Sequence, residues 1–229
     1  HSIAEPSGLA IDTPLGMVFH TGDWKIDDQP VIGSMTDAPA IRALGDKGVL
    51  AMVCDSTNVF SPNPGRSEAL LANPLLDFVM AQRQMVVATT FASNIARLKT
   101  LADAGTAAGR QVCLLGRAMR KMVTAAVETG ILRDFPRVIG PEEAADLPRD
   151  KVLLIVTGSQ GERRAASAQL SRGKYLGLEM KEGDTFLFSS KTIPGNERDV
   201  LRVWNAFSEM GVQVIDDQPV AKLDSNAAL

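Results

Sequence analysis

Two side chains near the start of the sequence, those of His1 and Asp23, belong to types that bind first-row transition metals. His1 stands at the chain end, and Asp23 directly follows Gly22. A structural or catalytic zinc takes three or four ligands from the protein. The pair is therefore either accidental or one part of a larger site whose other ligands lie elsewhere.

Clusters of hydroxyl, amide and glycine residues follow four apolar segments of strand length, at residues 55–58, 89–94, 157–162 and 189–197. In an open parallel sheet, ligands gather at the carboxyl ends of the strands. Small hydroxyl residues and free main-chain amides at such positions suit a phosphate. Helix capping explains any single cluster, because Ser93 and Asn196 are ordinary N-cap residues. Four clusters on one edge shift the balance towards an anionic ligand without excluding capping.

Motifs for three other kinds of chemistry are missing from the sequence. It contains no Gly-Lys-Ser/Thr phosphate loop, and Gly105 and Gly109 do not follow a predicted strand. His1 and His20 are the two histidines, and no Gly-x-Ser-x-Gly elbow accompanies them. The sequence therefore argues against a P-loop nucleotide hydrolase, a dinucleotide-dependent enzyme and a serine hydrolase.

The charge of the chain restricts how it could bind a nucleic acid. A net charge of −3 and a pI of about 5.5 provide no global basic field, so binding would need a local patch. Cations beside the strand-end clusters are candidates for phosphate contacts, although a solvated helix face is the alternative for most of them. These cations are Arg117, Arg120, Lys121, Arg163, Arg164, Lys191 and Arg198. Phe60, Phe91 and Phe188 could stack on bases or equally belong to the core.

Apolar runs alternate with helical patterns after residue 66. Strands are predicted at residues 85–91, 112–115, 152–156, 185–188 and 212–215. Helices are predicted at 67–83 with an interruption at Pro74, and at 93–108, 117–128, 163–170 and 197–210. Continuous apolar strands separated by helices are typical of an α/β fold in which helices cover both faces of a parallel sheet.

The first 60 residues follow a different pattern. A β-hairpin is predicted from strands at 9–11 and 17–20, followed by a loop at about 25–38 and an apolar strand at 48–54. Residues 61–65 contain two prolines and a glycine and are the best candidate for a domain boundary.

The composition, with 45% hydrophobic residues in 229, is that of one large or two small globular domains. Cys54 and Cys113 lie in apolar runs, which predicts buried, reduced thiols in a reducing compartment. No apolar run approaches the length of about 18 residues that a membrane span needs. The first residue is not methionine, which fits a fragment or a processed chain.

The motifs of the chain, in their order, closely resemble ribonuclease J, of the β-CASP group of metallo-β-lactamase-fold nucleases. The most specific segments are Thr-Gly-Ser-Gln-Gly-Glu at 157–162 and Phe-Ser-Ser-x-x-Ile-Pro-Gly-Asn-Glu at 188–197. Support comes from His-Ser-Ile-x-Glu-Pro at 1–6, Thr-Pro-x-Gly at 13–16, His-Thr-Gly-Asp-Trp-Lys-Ile-Asp at 20–27, Cys-Asp-Ser-Thr-Asn at 54–58, Thr-Thr-Phe-Ala-Ser-Asn at 89–94 and Gly-Arg-Ala-Met at 116–119. The resemblance implies a β-CASP domain at about 61–220, part of a metallo-β-lactamase domain at 1–60, and a tail at 221–229.

The same resemblance implies a function and a set of site residues. Such enzymes hydrolyse RNA with two zinc or manganese ions, as 5′-to-3′ exonucleases sensitive to a 5′-monophosphate and as endonucleases, in RNA processing and decay. By matching position, His1 would bind one ion, Asp23 would bridge both, and Asp55 would lie beside them. The residues expected to contact RNA or its 5′-phosphate are Ser159, Gln160, Gly161, Ser189, Ser190 and Asn196. A cytoplasmic homo-oligomer that binds no membrane is expected.

Two departures from the family pattern qualify this expectation. The His-x-His-x-Asp-His segment, which holds most of the family's metal ligands, does not occur in the sequence, and residues 221–229 do not match the family's Ser-Gly-His segment. The chain alone is therefore expected to bind RNA ends without cutting and without holding metal. An α/β domain that binds a small phosphate ligand, with His1 and Asp23 coincidental, remains the alternative.

Overall fold

The computed structural model describes residues 4–27, 29–57, 59–60 and 67–216. They divide between two compact units, His1–Leu70 and Leu71–Leu229. Three sequence-based predictions lie outside the described residues: the boundary at 61–65, the metal ligand His1 and the tail at 221–229.

The first unit contains a three-stranded sheet in the order β1-β2-β3. The strands are β1 Leu9–Thr13, β2 Gly16–His20 and β3 Ala51–Val53. β1 and β2 form the predicted antiparallel hairpin, whose turn is closed by a hydrogen bond of 2.6 Å from Thr13 Oγ1 to the carbonyl of Gly16. β3 pairs in parallel with β2, so that His20 lies opposite Val53.

A helix that the sequence analysis did not predict, α1 Ala38–Lys47, precedes β3. The Asp37 side chain caps it by accepting a hydrogen bond of 2.9 Å from the Ala40 amide, and Gly48 follows its last residue at a φ of 90°. None of its residues is buried in this structure, and it has two large apolar side chains, Ile41 and Leu44, which make a weak sequence signal for a helix.

The second unit is built on six parallel strands in the order β6-β5-β7-β4-β8-β9. The strands are β4 Val86–Thr89, β5 Gln111–Leu115, β6 Val138–Ile139, β7 Val152–Val156, β8 Thr185–Phe188 and β9 Gln213–Asp216. The three central strands β7, β4 and β8 are buried along their whole length. This burial explains their continuous apolar sequences and confirms the predicted parallel sheet.

Helices cover both faces of this sheet, as predicted. They are α2 Ala72–Ala81, α3 Ile95–Ala107, α4 Arg117–Glu128, α5 Pro141–Asp146, α6 Ala166–Leu170 and α7 Glu197–Glu209. On one face Phe186 of β8 contacts Phe207 of α7, with ring centroids 4.5 Å apart. On the other face α3 approaches Leu153 of β7 so closely that a Cβ on Gly105 would lie 2.5 Å from Leu153 Cδ2. A larger residue at position 105 would force α3 away from the sheet.

Several predicted boundaries were wrong. Pro74 does not interrupt a helix, because a 3₁₀ turn at Glu68–Leu71 precedes α2 and places the proline in the first turn of α2, where its missing amide is tolerated. The helix predicted at 163–170 is shortened to α6. The short strand β6 and the helix α5 fall in a segment predicted as a loop.

The two cysteines differ, and this corrects one prediction. Cys113 is buried in β5, and its burial raises the pKa of the thiol to about 11. Cys54, which was predicted to be buried as well, is exposed directly after β3. Among the described residues, no helix has the length and hydropathy needed to cross a bilayer.

Candidate nucleic-acid interface

The carboxyl ends of β4 and β8 form the most distinctive edge of the second unit. The two strands are neighbours, and the Ser189 amide continues their pairing with a hydrogen bond of 2.9 Å to the Thr89 carbonyl. The chain leaves β4 through α3 towards β5 and leaves β8 through α7 towards β9, in opposite directions along the sheet. Adjacent strands whose connections diverge in this way open a crevice at their carboxyl ends, where α/β sheets bind ligands.

Arg97 of α3 reaches across this edge to Ser189. Its Nη1 atom donates hydrogen bonds to the Ser189 carbonyl at 3.1 Å and to the Ser189 hydroxyl at 2.6 Å. Asn94 fixes the start of α3 by accepting a hydrogen bond of 3.1 Å from the Arg97 amide. Arg97 is 9% exposed, so its positive charge is held in a weakly screened position next to the loop after β8.

Two hydroxyl groups at the same edge lack a partner. Within the described part of the chain, Thr90 Oγ1 after β4 and Ser190 Oγ after β8 are buried without a hydrogen bond. Buried hydroxyls without partners are costly, and a ligand oxygen or an ordered water that reached them would remove the cost.

The loop after β7 carries the predicted residues Ser159, Gln160 and Gly161. Its conformation depends on two glycines. A Cβ on Gly158, whose φ is 112°, would lie 1.9 Å from Ser167 Oγ, which itself donates to the Gly158 carbonyl at 3.0 Å. A Cβ on Gly161 would lie 2.3 Å from the main chain of Asp199 in α7. The loop is thereby pressed against both α6 and α7.

The Gln160 side chain connects this loop to the one after β8. Its Oε1 atom accepts hydrogen bonds from the Ile193 amide at 2.7 Å and from Asn196 Nδ2 at 3.2 Å. Its Nε2 atom donates to the Lys191 carbonyl at 3.0 Å. Gln160 is 8% exposed, so three shielded hydrogen bonds fix the two loops relative to each other.

Asn196 occupies the N-cap position of α7, as the capping interpretation predicts, but its side chain makes no capping hydrogen bond. It is turned towards Gln160 instead. The structure therefore brings all six predicted RNA-contacting residues to one edge of the sheet, and it engages two of them, Gln160 and Asn196, with each other.

The first unit carries a separate acidic edge. Asp23 and Asp55 follow the parallel strands β2 and β3 at their carboxyl ends. Thr21, which is 2% exposed, joins the two segments: its amide donates to the Val53 carbonyl at 3.0 Å, and its hydroxyl accepts from the Asp55 amide at 3.3 Å. Two carboxylates thus share one edge.

The Asp55 carboxylate is held in a tight local arrangement. Its Oδ1 atom accepts hydrogen bonds from the Thr57 hydroxyl at 2.6 Å and from the Thr57 amide at 2.9 Å. These bonds stabilise the charged form and lower the pKa of Asp55 below its ordinary value of 3.8. Charged carboxylates are the donors that a hard divalent cation prefers. Among the described residues, however, no group of three or more histidines, cysteines and acids comes together, so the described residues do not form a complete metal site.

Sequence analysis missed one residue of the interface, Arg97. The sequence feature that could have indicated it is its position in the first turn of a helix that Asn94 caps, directly after a strand-end cluster. Its hydrogen bonds to Ser189 span 92 residues of sequence, and nothing local to either residue announces such a contact.

Comparisons with known proteins show the family of the chain. The family model described as "Ribonuclease J, beta-CASP domain" matches residues 83–207. A ribonuclease J of Sinorhizobium meliloti is 43% identical over 217 residues, which are 95% of this chain and 38% of that protein. Those of Corynebacterium glutamicum and Thermus thermophilus are 40% and 37% identical, over 94% of this chain and 30% and 38% of their own lengths. The chain thus spans about a third of the length of these curated relatives.

Proposed function

Because the chain belongs to the ribonuclease J family, we propose that the whole protein hydrolyses the phosphodiester bonds of RNA and that residues 61–220, as a β-CASP domain, bind the RNA. Residues 1–60 would belong to the metallo-β-lactamase domain. The observation that supports the RNA-binding role is the edge after β4, β7 and β8. There a buried Arg97 lies near two hydroxyls that have no partner among the described residues, and near a loop whose path requires Gly158 and Gly161.

A terminal phosphate is the ligand that this edge suits best. Arg97 supplies positive charge without being able to lose its proton, and it orients Ser189. The Ser190 hydroxyl is available to donate to a phosphate oxygen, since it has no partner within the described residues. Ser159 and Gly161 would line the same channel, while Gln160 and Asn196 hold its two loops in place. We therefore propose that Ser189 and Ser190 bind the 5′-monophosphate of RNA.

Asp23 and Asp55 would contribute to the metal centre of the whole protein. Asp23 would bridge two ions, zinc or manganese, with His1 as a further ligand and Asp55 beside them. When bound, such ions supply a nucleophilic water at neutral pH and bear the charge that develops on the phosphate. Among the residues of this chain, Thr57 donates two hydrogen bonds to Asp55 that lower the pKa of its carboxyl.

The whole protein would act as a 5′-to-3′ exonuclease and an endonuclease in the cytoplasm, as a homo-oligomer. The chain as given would bind RNA without cleaving it, since His1 and Asp23 alone fall short of the ligands that a catalytic metal needs. Incubation of the purified chain with 5′-monophosphorylated RNA and Mn²⁺ tests this directly. We expect binding without turnover, and robust cleavage would contradict the proposal.

The 5′-phosphate assignment needs its own experiment. The double variant Ser189→Ala/Ser190→Ala should weaken binding of 5′-monophosphorylated RNA while leaving 5′-hydroxyl RNA nearly unchanged. Ser208→Ala, at an exposed position near the end of α7, is the matched control. An unchanged preference in the double variant would remove both serines from the pocket. Binding of a nucleoside monophosphate without any binding of RNA would favour the small-phosphate alternative.

A further inference from the structure

The carboxyl edge of the second unit carries more free positive charge than a terminal phosphate requires. Three acidic residues at this edge are engaged internally: Glu162 accepts from the Gln160 amide at 3.0 Å, Glu197 accepts from the Gly195 amide at 2.9 Å, and Asp199 pairs with Arg202. The side chains of four exposed cations form no hydrogen bond or ion pair within the described part of the chain. We call these four residues, Arg117, Lys121, Arg163 and Arg164, the β5–β7 basic patch.

The topology brings the four cations together. β5 and β7 are neighbours, and Leu115 at the end of β5 lies opposite Val156 at the end of β7. Arg117 and Lys121 stand one turn apart on α4, so that both project from one side of that helix. Arg163 and Arg164 belong to the loop that leaves the end of β7. Arg120 is not part of the patch, because its Nε atom donates to the Leu114 carbonyl at 3.0 Å.

The β5–β7 basic patch is too far from Ser189 and Ser190 to share a phosphate with them. In the sheet order β7 lies two strand spacings from β8 and β5 lies three, or about 10 and 14 Å at the usual spacing between strands. A single phosphate group cannot bridge either distance, but a polymer of phosphates can. The separation therefore selects a chain-like polyanion over a mononucleotide.

We propose that the β5–β7 basic patch binds the backbone of single-stranded RNA at nucleotides beyond the one whose phosphate lies at Ser189 and Ser190. This inference rests on the proposed RNA-binding function and adds the path of the strand, which runs along the sheet edge from β8 towards β5. Exposed arginine and lysine contacts to phosphates release counterions and carry no sequence preference. The patch thus makes the chain select long RNA over short RNA of any sequence.

The test compares two ligands on the intact chain: a 5′-monophosphorylated oligoribonucleotide of about 20 nucleotides, longer than the tract that one such groove covers, and adenosine 5′-monophosphate. The variant is R117Q/K121Q/R163Q/R164Q. Its control is R83Q/R133Q/K151Q/K174Q, which removes four exposed cations from segments that precede strands. The two half-variants, R117Q/K121Q and R163Q/R164Q, guard against a folding defect, and thermal unfolding reports on it.

The patch variant should bind the oligonucleotide at least about tenfold more weakly, and its plot of log affinity against log salt should be less steep by about 2 to 3. Its affinity for adenosine 5′-monophosphate should be unchanged, and each half-variant should show an intermediate loss. Wild-type affinity for the oligonucleotide in the patch variant, or an equal loss in the control, would overturn the inference and leave the proposed function standing. Failure of the unmodified chain to bind the oligonucleotide would overturn both.

Discussion

The Asn196 side chain donates a hydrogen bond of 3.2 Å to Gln160 Oε1, and this contact joins two loops that are 36 residues apart in sequence. The Asn196 side chain, which is at the N-cap position of α7, therefore makes no capping hydrogen bond to that helix. The contact fixes the loops after β7 and β8 relative to each other, while the start of α7 lacks the hydrogen bond that a capping side chain would supply. A channel that must hold a flexible ligand gains from such order, because a preorganised site loses less entropy on binding.

Gln160→Ala should test how far the interface depends on this contact. The substitution leaves the Ile193 amide, the Lys191 carbonyl and the Asn196 amide without their shared partner, and we expect it to lower the free energy of unfolding by about 2–3 kcal/mol. Affinity for 5′-monophosphorylated RNA should fall in parallel. Chemical denaturation and fluorescence binding measure the two effects. Gln111→Ala, at the exposed start of β5, is the control and should stay within about 0.5 kcal/mol of the wild type.

Gly161 and Gly109 offer a matched pair, because both have a φ of 71°. A Cβ at Gly109 would meet nothing within 4 Å, whereas one at Gly161 would lie 2.3 Å from the main-chain carbon of Asp199. Gly109→Ala should therefore lower the free energy of unfolding by only about 1–2 kcal/mol, the penalty for a Cβ on a left-handed backbone. Gly161→Ala should lower the free energy of unfolding by about 1–3 kcal/mol more, because the added Cβ would displace the loop from α7. Equal destabilisation of the two variants in thermal unfolding would show that the loop does not need to approach α7.

The parallel sheet was predictable because burial on both faces leaves a sequence signature. The central strands β4, β7 and β8 are continuous apolar runs, and the polar clusters that follow them mark the carboxyl edge. Helix α1 left no such signature, since it buries no residue in this structure, and only Asp37 and Gly48 signalled its ends. The two-residue strand β6 is too short for periodicity to detect.

The roles of individual site residues were less predictable than their location. Three of the four strand-end clusters lie on one polar edge of the parallel sheet, whereas the cluster predicted at 55–58 was wrongly placed there, because Asp55 follows β3 in the other sheet. A sequence also contains no record of which side chains satisfy one another. Gln160 and Asn196 were both expected to contact RNA, and their mutual hydrogen bond depends on the pairing of both β7 and β8 with β4. The hydrogen bond from Arg97 to Ser189 depends in the same way on the pairing of β4 with β8. Such contacts follow from the assembled sheet and not from any local pattern.

The two thiols should differ in reactivity by a wide margin. Cys54 is exposed, while Cys113 is fully buried in β5 and its pKa is raised to about 11, so that it stays protonated near pH 8. A colorimetric thiol reagent should therefore titrate one thiol per folded chain and both after denaturation. Cys54→Ser should abolish the reaction of the folded chain. Equal rates for both thiols under native conditions would contradict the burial of β5.

The pKa of the Asp55 carboxyl should depend on the hydroxyl of Thr57. Its pKa is lowered by the hydrogen bonds from the Thr57 hydroxyl and amide. A lowered pKa in the folded state means that these bonds stabilise the fold above the ordinary value of 3.8, and that this contribution is lost as the pH falls through the folded-state pKa. Thr57→Val removes the hydroxyl and should raise the pKa towards 3.8, whereas Thr57→Ser should keep it low. A carboxyl-detected NMR titration of Asp55 measures both, and an identical pKa in the two variants would show that the hydroxyl does not set the charge.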